Sequence, residues 1–71
     1  MKRIAVTSRS LRALGYDPDN QALEVEFHNG TKYRYEGVPA EVVKALLEAD
    51  SLGRHFNQMF KPRHYRYQRI R

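Results

Sequence analysis

The stretch Leu23-Glu24-Val25-Glu26-Phe27-His28-Asn29-Gly30-Thr31-Lys32-Tyr33-Arg34-Tyr35 sets two alternating runs on either side of Asn29-Gly30, the pattern of a β-hairpin. Its side chains decide its register. A two-residue Asn-Gly loop would oppose Phe27 to Lys32 and Glu26 to Tyr33, mixing apolar and charged groups on both faces. A three-residue loop, His28-Asn29-Gly30, with Gly30 in the left-handed conformation that side chains resist, instead opposes Val25 to Tyr33 and Leu23 to Tyr35. One face is then wholly apolar. The other opposes Glu26 to Lys32 and Glu24 to Arg34, cross-strand pairs that contribute roughly 0.2–1 kcal/mol each. A one-residue slip would turn every side chain to the wrong face, so both faces specify this register.

Upstream, Leu11-Arg12-Ala13-Leu14-Gly15-Tyr16 reads as a strand and Asp17-Pro18-Asp19-Asn20 as a turn with Pro18 preset for its second position. The result is an antiparallel meander with an inner face of Leu14, Tyr16, Leu23, Val25, Phe27, Tyr33 and Tyr35, which needs an apolar cover. That cover is expected to begin at Val38-Pro39, with Pro39 at the first helical position, where its missing N–H costs nothing. Val42, Val43, Leu46, Leu47 and Ala49 recur at helical spacing, with Glu41, Lys44 and Glu48 on the wet side, predicting a helix to about Ala49. Asp50 or Ser51 caps a shorter helix to about Phe60, on which Phe56 and Phe60 share a face, and Pro62 stops it. His64-Tyr65-Arg66-Tyr67-Gln68 alternates again as a final strand, and residues 1–10 read as a lead-in or edge strand. The expected fold class is α+β: a small three- to four-stranded antiparallel meander covered on one face by one long and one short helix, with a C-terminal strand.

The 71 residues are expected to form a single domain, 1–71, able to bury only about 60% of the surface of the unfolded chain. With no cysteine, neither disulfides nor thiolate metal sites can staple it, and a reducing, cytoplasmic compartment is expected. Ile4-Ala5-Val6 gives way at once to Thr7-Ser8-Arg9-Ser10, which fits neither a secretion signal nor a membrane span, so no membrane partner is expected. The net charge of +5 is uneven: residues 1–36 carry six Lys/Arg against five Asp/Glu, and residues 37–71 carry seven against three. From Arg54 to Arg71 there are six cations, Arg54, Lys61, Arg63, Arg66, Arg69 and Arg71, and no acid. A segment of that kind suits a polyanion or an acidic protein surface.

Catalytic and metal chemistry find little support. His28, His55 and His64 lack the paired spacing of a zinc site. Ser8, Ser10, Asp50 and His55 include hydroxyls and a base, but no strand-turn-helix elbow or phosphate-cradling glycine loop frames them. No catalytic residue, metal or cofactor is therefore expected. Tyr-Arg-Tyr occurs at 33–35 and 65–67, and such residues can stack on bases and grip phosphates. The hairpin register places Tyr33 and Tyr35 in the core, however, and matches Lys32 and Arg34 with Glu26 and Glu24. A nucleic-acid surface must then be built from Arg54 to Arg71, joined by Arg3, Arg9 and Arg12.

The order Leu14-Gly15-Tyr16-Asp17, Leu23-x-Val25-x-Phe27-x-x-Gly30-x-x-Tyr33-x-Tyr35 and Val38-Pro39 resembles the KTSC domain. So do Leu46-Leu47-x-Ala49-x-Ser51-x-Gly53, Phe56-Asn57, Lys61 and Tyr65-x-Tyr67-x-Arg69-Ile70. Arg9, Val43, His55 and Phe60 depart from the family pattern. The resemblance implies a small domain found alone in bacteria and at the C-terminus of some lysyl-tRNA synthetases, and it suggests RNA binding. The combined expectation is a non-enzymatic, tRNA-associated RNA-binding module contacting phosphates through Lys61, Arg63, Arg66, Arg69, Arg71 and Arg54. The alternative is a protein-interaction or homo-oligomerising module, a monomer or weak homodimer, in which the C-terminal strand or an apolar patch docks an acidic protein or a second copy.

Overall fold

The hairpin adopts the register its side chains specify: Leu23 opposes Tyr35, Glu24 opposes Arg34, Val25 opposes Tyr33 and Glu26 opposes Lys32. Its loop is closed by the Phe27 amide donating to the Thr31 carbonyl (2.9 Å) and the Gly30 amide to the Phe27 carbonyl (3.0 Å). Gly30, at φ 89°, supplies the backbone conformation that the loop needs. The computed structural model describes residues 3–6 and 11–70. Among these, strands β1 (Arg3–Ala5), β2 (Leu11–Asp17), β3 (Ala22–Phe27), β4 (Lys32–Tyr35) and β5 (Tyr67–Ile70) form one open antiparallel sheet, in which spatial order follows chain order.

The sheet is thus a four-stranded meander, β1–β4, with β5 as the C-terminal strand, the larger of the two expected sizes, and segments at both ends of the chain pair with the central hairpins. Ile4 lies opposite Leu14, and Tyr35 opposite Tyr67. An irregularity between Leu11 and Ala13 brings Leu11 opposite Phe27 while Ala13 lies opposite Glu26. The extra residue lets Leu11 join the core, fully buried, although unbroken alternation would have put it on the same side as Ala13.

Helix α1 (Ala40–Glu48) and the shorter α2 (Leu52–His55) lie over the inner face. The α2 segment runs on through a π-turn (Phe56–Phe60) and a 3-10 turn (Lys61–Arg63). Pro39 is the N-cap of α1, one position earlier than expected: its ψ of 153° is extended, while its carbonyl accepts from Val42 and Val43 at 3.1 and 3.4 Å. Ser51, not Asp50, caps α2, its hydroxyl accepting from the Arg54 amide at 3.3 Å. Leu47, expected in the core, is 43% exposed. Leu46 is fully buried and marks the centre of the apolar stripe, so Leu47 lies about 100° round the helix from it. Pro62 does not end the helical segment but sits within the 3-10 turn, where a missing donor is tolerated. His64, left-handed at φ 56°, makes the stop, and β5 starts three residues later than expected.

The core unites Leu11, Leu14, Leu23, Val25 and Tyr35 of the sheet with Val38, Val43, Leu46, Leu52, Phe56 and Phe60. Tyr16, Phe27 and Tyr33 are half-buried against it. Val38 fastens the β4–α1 connection to the first hairpin. Its amide donates to the Gln21 carbonyl (2.8 Å), and its carbonyl accepts from the Tyr16 hydroxyl (2.5 Å). Burial, followed by the charges of Glu41 and Asp17, raises the Tyr16 pKa above its ordinary 10.0, so the phenol remains a donor at neutral pH. No helix of the described residues is long and apolar enough to cross a membrane.

Candidate nucleic-acid interface

Two arginines of the sheet's outer face are committed to carboxylates. Arg34 bonds Glu24 at 3.0 Å, with both side chains largely covered, and Arg12 reaches Glu26 at 3.5 Å. The register placed Lys32 opposite Glu26, and it is Arg12 from the neighbouring strand that makes the ion pair. None of these ion pairs involves Arg54, Lys61, Arg63, Arg66 or Arg69, all of which are exposed. Arg71 lies outside the described residues, as does Arg9.

The helical segment determines where those cations stand. Phe56 and Phe60 are buried, their rings stacked at 5.0 Å and 14°, and they anchor the π-turn to Tyr35 of β4 through ring contacts at 6.0 and 4.9 Å. The Lys61 amide donates to the Phe56 carbonyl five residues back, a widened turn of the kind often seen at functional sites. Lys61 follows directly on this anchor, with its ammonium 5.7 Å from the Phe56 ring centre. Pro62, Arg63 and left-handed His64 then swing the chain towards the sheet, where the Arg66 carbonyl accepts from Glu36 at 2.8 Å and β5 begins.

The expected cations therefore do not form one cluster. Arg54 borders a hollow with Asp50, Ser51, His55 and Met59, and Arg69 borders another with Gly30, Thr31 and Ile70. Lys61 and His64 stand at a third, of about 300 Å³, whose other lining residues are Tyr35, Phe60, Tyr65 and Tyr67. This last group was missed by considering cations alone. The second Tyr-Arg-Tyr was the available signal, since the hairpin's register removes only the first copy from the surface. Tyr33 and Tyr35 do belong to the inner face, half-buried and buried respectively, whereas Tyr67 is 59% exposed. Among the described residues no group of His, Asp or Glu could hold a metal ion.

A family model, the KTSC domain, matches residues 7–67. This chain belongs to the KTSC domain family. The crystal structure of a KTSC domain protein from Yersinia pestis is 35% identical and superposes with a TM-score of 0.90, covering 99% of this chain and 97% of that one. A protein of Stutzerimonas stutzeri is 74% identical over 70 residues, 99% of either chain. A lysine–tRNA ligase of Nostoc punctiforme carries a segment 37% identical over 51 residues, 72% of this KTSC domain but only 9% of the ligase. Sequence similar to this domain thus occurs both as a chain of this size and as a small part of a lysine–tRNA ligase.

Proposed function

We propose that this KTSC domain is a non-enzymatic, cytoplasmic RNA-interacting module that holds phosphates through Arg54, Lys61, Arg63, Arg66 and Arg69, with Arg71 extending the series. The observation that carries this reading is the contrast between two sets of cations: Arg12 and Arg34 on the outer sheet face are paired with Glu26 and Glu24, whereas the exposed cations from Arg54 onward lie in a segment whose sequence contains no acid and take part in neither pair. The body measures 27 × 25 × 22 Å, so cations at separate hollows are still within reach of one folded RNA. The related segment in a lysine–tRNA ligase makes a tRNA the first ligand to try.

Phosphate binding releases counterions, with a slope of log K against log salt of roughly −0.7 per contact for a single strand, so four or five contacts give about −3. Replacing Arg63, Arg66 and Arg69 by Gln should flatten that slope and weaken binding to a tRNA and an unrelated single strand alike, while Lys44→Gln on α1 should change neither. Unchanged curves for the triple variant would remove the proposal.

A second reading, docking to protein, rests on the open edge of β5. The Glu36 amide bonds Arg66, so by antiparallel alternation the amides and carbonyls of Gln68 and Ile70 also face β4, leaving those of Tyr67 and Arg69 on the free edge. An acidic extended peptide, or a second copy in a weak homodimer, could add a strand there. Retention of such a peptide by a protein that ignores RNA at low salt would favour this reading.

A further inference from the structure

Tyr35 and Phe60 meet at 90° with centroids 4.9 Å apart. Each is extended by a second ring: Tyr67 beside Tyr35 at 5.3 Å and 39°, and Tyr65 beside Phe60 at 5.1 Å and 38°. The inner pair is buried, Tyr35 at 8% and Phe60 at 1% exposure, while Tyr65 is half-buried and Tyr67 exposed. The hollow of about 300 Å³ between them therefore has a floor fixed by the core and outer rings open to solvent. A flat ring could lie against one wall and turn its edge to the other, the two arrangements that aromatic quadrupoles prefer. The volume lies at the small end of ligand pockets.

The rim decides which kind of flat ligand fits. Aromatic walls attract cations over their faces, but Lys61 and His64 both line this hollow, and the Lys61 ammonium already lies over Phe56. A quaternary ammonium would meet that positive charge. A ring attached to an anion would have its ring on the tyrosines and its charge beside Lys61. The two other hollows that border expected cations have no phenylalanine or tyrosine in their lining. We propose that the hollow of Tyr35, Phe60, Tyr65 and Tyr67 takes one unstacked nucleobase of a single-stranded segment, with Lys61 holding an adjacent phosphate. This rests on the RNA reading and deepens it from a phosphate-tracking surface to one with a base-sized site.

The probe is a short single-stranded RNA with one 2-aminopurine, alongside the same strand made abasic at that position and an unmodified tRNA. Stacking should quench 2-aminopurine fluorescence on binding, and the abasic strand should bind about 5- to 100-fold more weakly, the range expected for one base on an aromatic side chain. Tyr67→Leu should give a similar loss with the salt slope kept, whereas Lys61→Gln should reduce the slope by about 0.7 and keep the quenching. Binding of the strand with no quenching and no abasic penalty would overturn the base site while leaving the RNA reading standing. Failure of both strands and tRNA to bind at low salt would overturn both. The abasic comparison uses the unaltered protein, so it decides the matter even if Tyr67→Leu does not fold.

Discussion

Replacing Phe56 tests the interior that carries the C-terminal segment. Its ring is 1% exposed and lies 6.0 Å from Phe27, 6.0 Å from Tyr35 and 5.0 Å from Phe60. At about 0.05–0.15 kcal/mol per residue, the domain's whole stability is on the order of 4–10 kcal/mol. Phe56→Ala, at about 3–5 kcal/mol for a buried aromatic, takes up much of that and leaves a marginal fold. Phe56→Leu is the informative change. It nearly conserves volume, which costs about 1 kcal/mol, and it removes three ring contacts, each worth about 0.5–1.5 kcal/mol beyond area but not additive. A total of about 2–3 kcal/mol follows, and at about 4–8 °C per kcal/mol for a domain of this size Tm should fall by at least about 8 °C. Urea and thermal unfolding followed by circular dichroism would measure it. Met59→Leu on the same turn, at a residue 54% exposed, should stay within about 0.5 kcal/mol of the parent. Equal stability of the Phe56→Leu protein would refute the claim that aromatic packing anchors the segment.

Three further outcomes follow from other contacts. Tyr16→Phe leaves the buried Val38 carbonyl without its donor and should lower stability by about 1–3 kcal/mol in denaturant unfolding; the raised Tyr16 pKa means that this contribution persists below pH 10 and is lost as pH rises through the folded value. Gly37→Ala should cost about 1–2 kcal/mol from backbone strain alone, since φ is 71° and no atom lies within 4 Å of where a Cβ would stand; an unchanged Tm would show that the turn relaxes. The Asp17 pKa is lowered below 3.8 chiefly by the Asn20 side-chain hydrogen bond, so its stabilisation is present above that value and disappears as pH falls through the folded one. Asn20→Ala should therefore reduce the loss of stability on acidification through this range, and an acid-unfolding profile of unchanged shape would count against the assignment.

How much could be read ahead varied with how local the cause was. The hairpin was legible because one slip inverts both faces, so charge and apolarity constrain the same degree of freedom. A cap at Asp50 or Ser51 and the Phe56–Phe60 pairing were legible because capping and helical spacing act within a few residues. Leu11 was not, since a bulge breaks alternation and leaves no marker in its side chains. Leu47 was misplaced because a short helix over a small sheet buries only a narrow stripe, and composition does not reveal the stripe's width. The cations form a basic run in the sequence, but the placing of Lys61 and Arg69 at different hollows depends on the reversal at His64 between them, a non-glycine residue in a conformation that sequence seldom signals. The aromatic hollow joins β4 to a segment about thirty residues on, a proximity that only the fold creates.

The position of β5 has a kinetic consequence. The β2–β3 and β3–β4 pairs close over short turns, whereas β4 and β5 meet only after residues 36–66 have folded back between them. Loop closure of that length is entropically disfavoured until the helices it contains are packed, and non-local pairing slows folding. The meander should form early and β5 should dock last, so Val25→Ala should slow folding while Tyr67→Ala chiefly speeds unfolding. In the native state, amide exchange at Gln68 and Ile70 should outpace that at Val25, reporting a strand that opens without the rest of the sheet. Each such opening would carry Tyr67 away from Tyr35 and dissolve one wall of the aromatic hollow, so anything bound there would act as a latch on the last strand to fold.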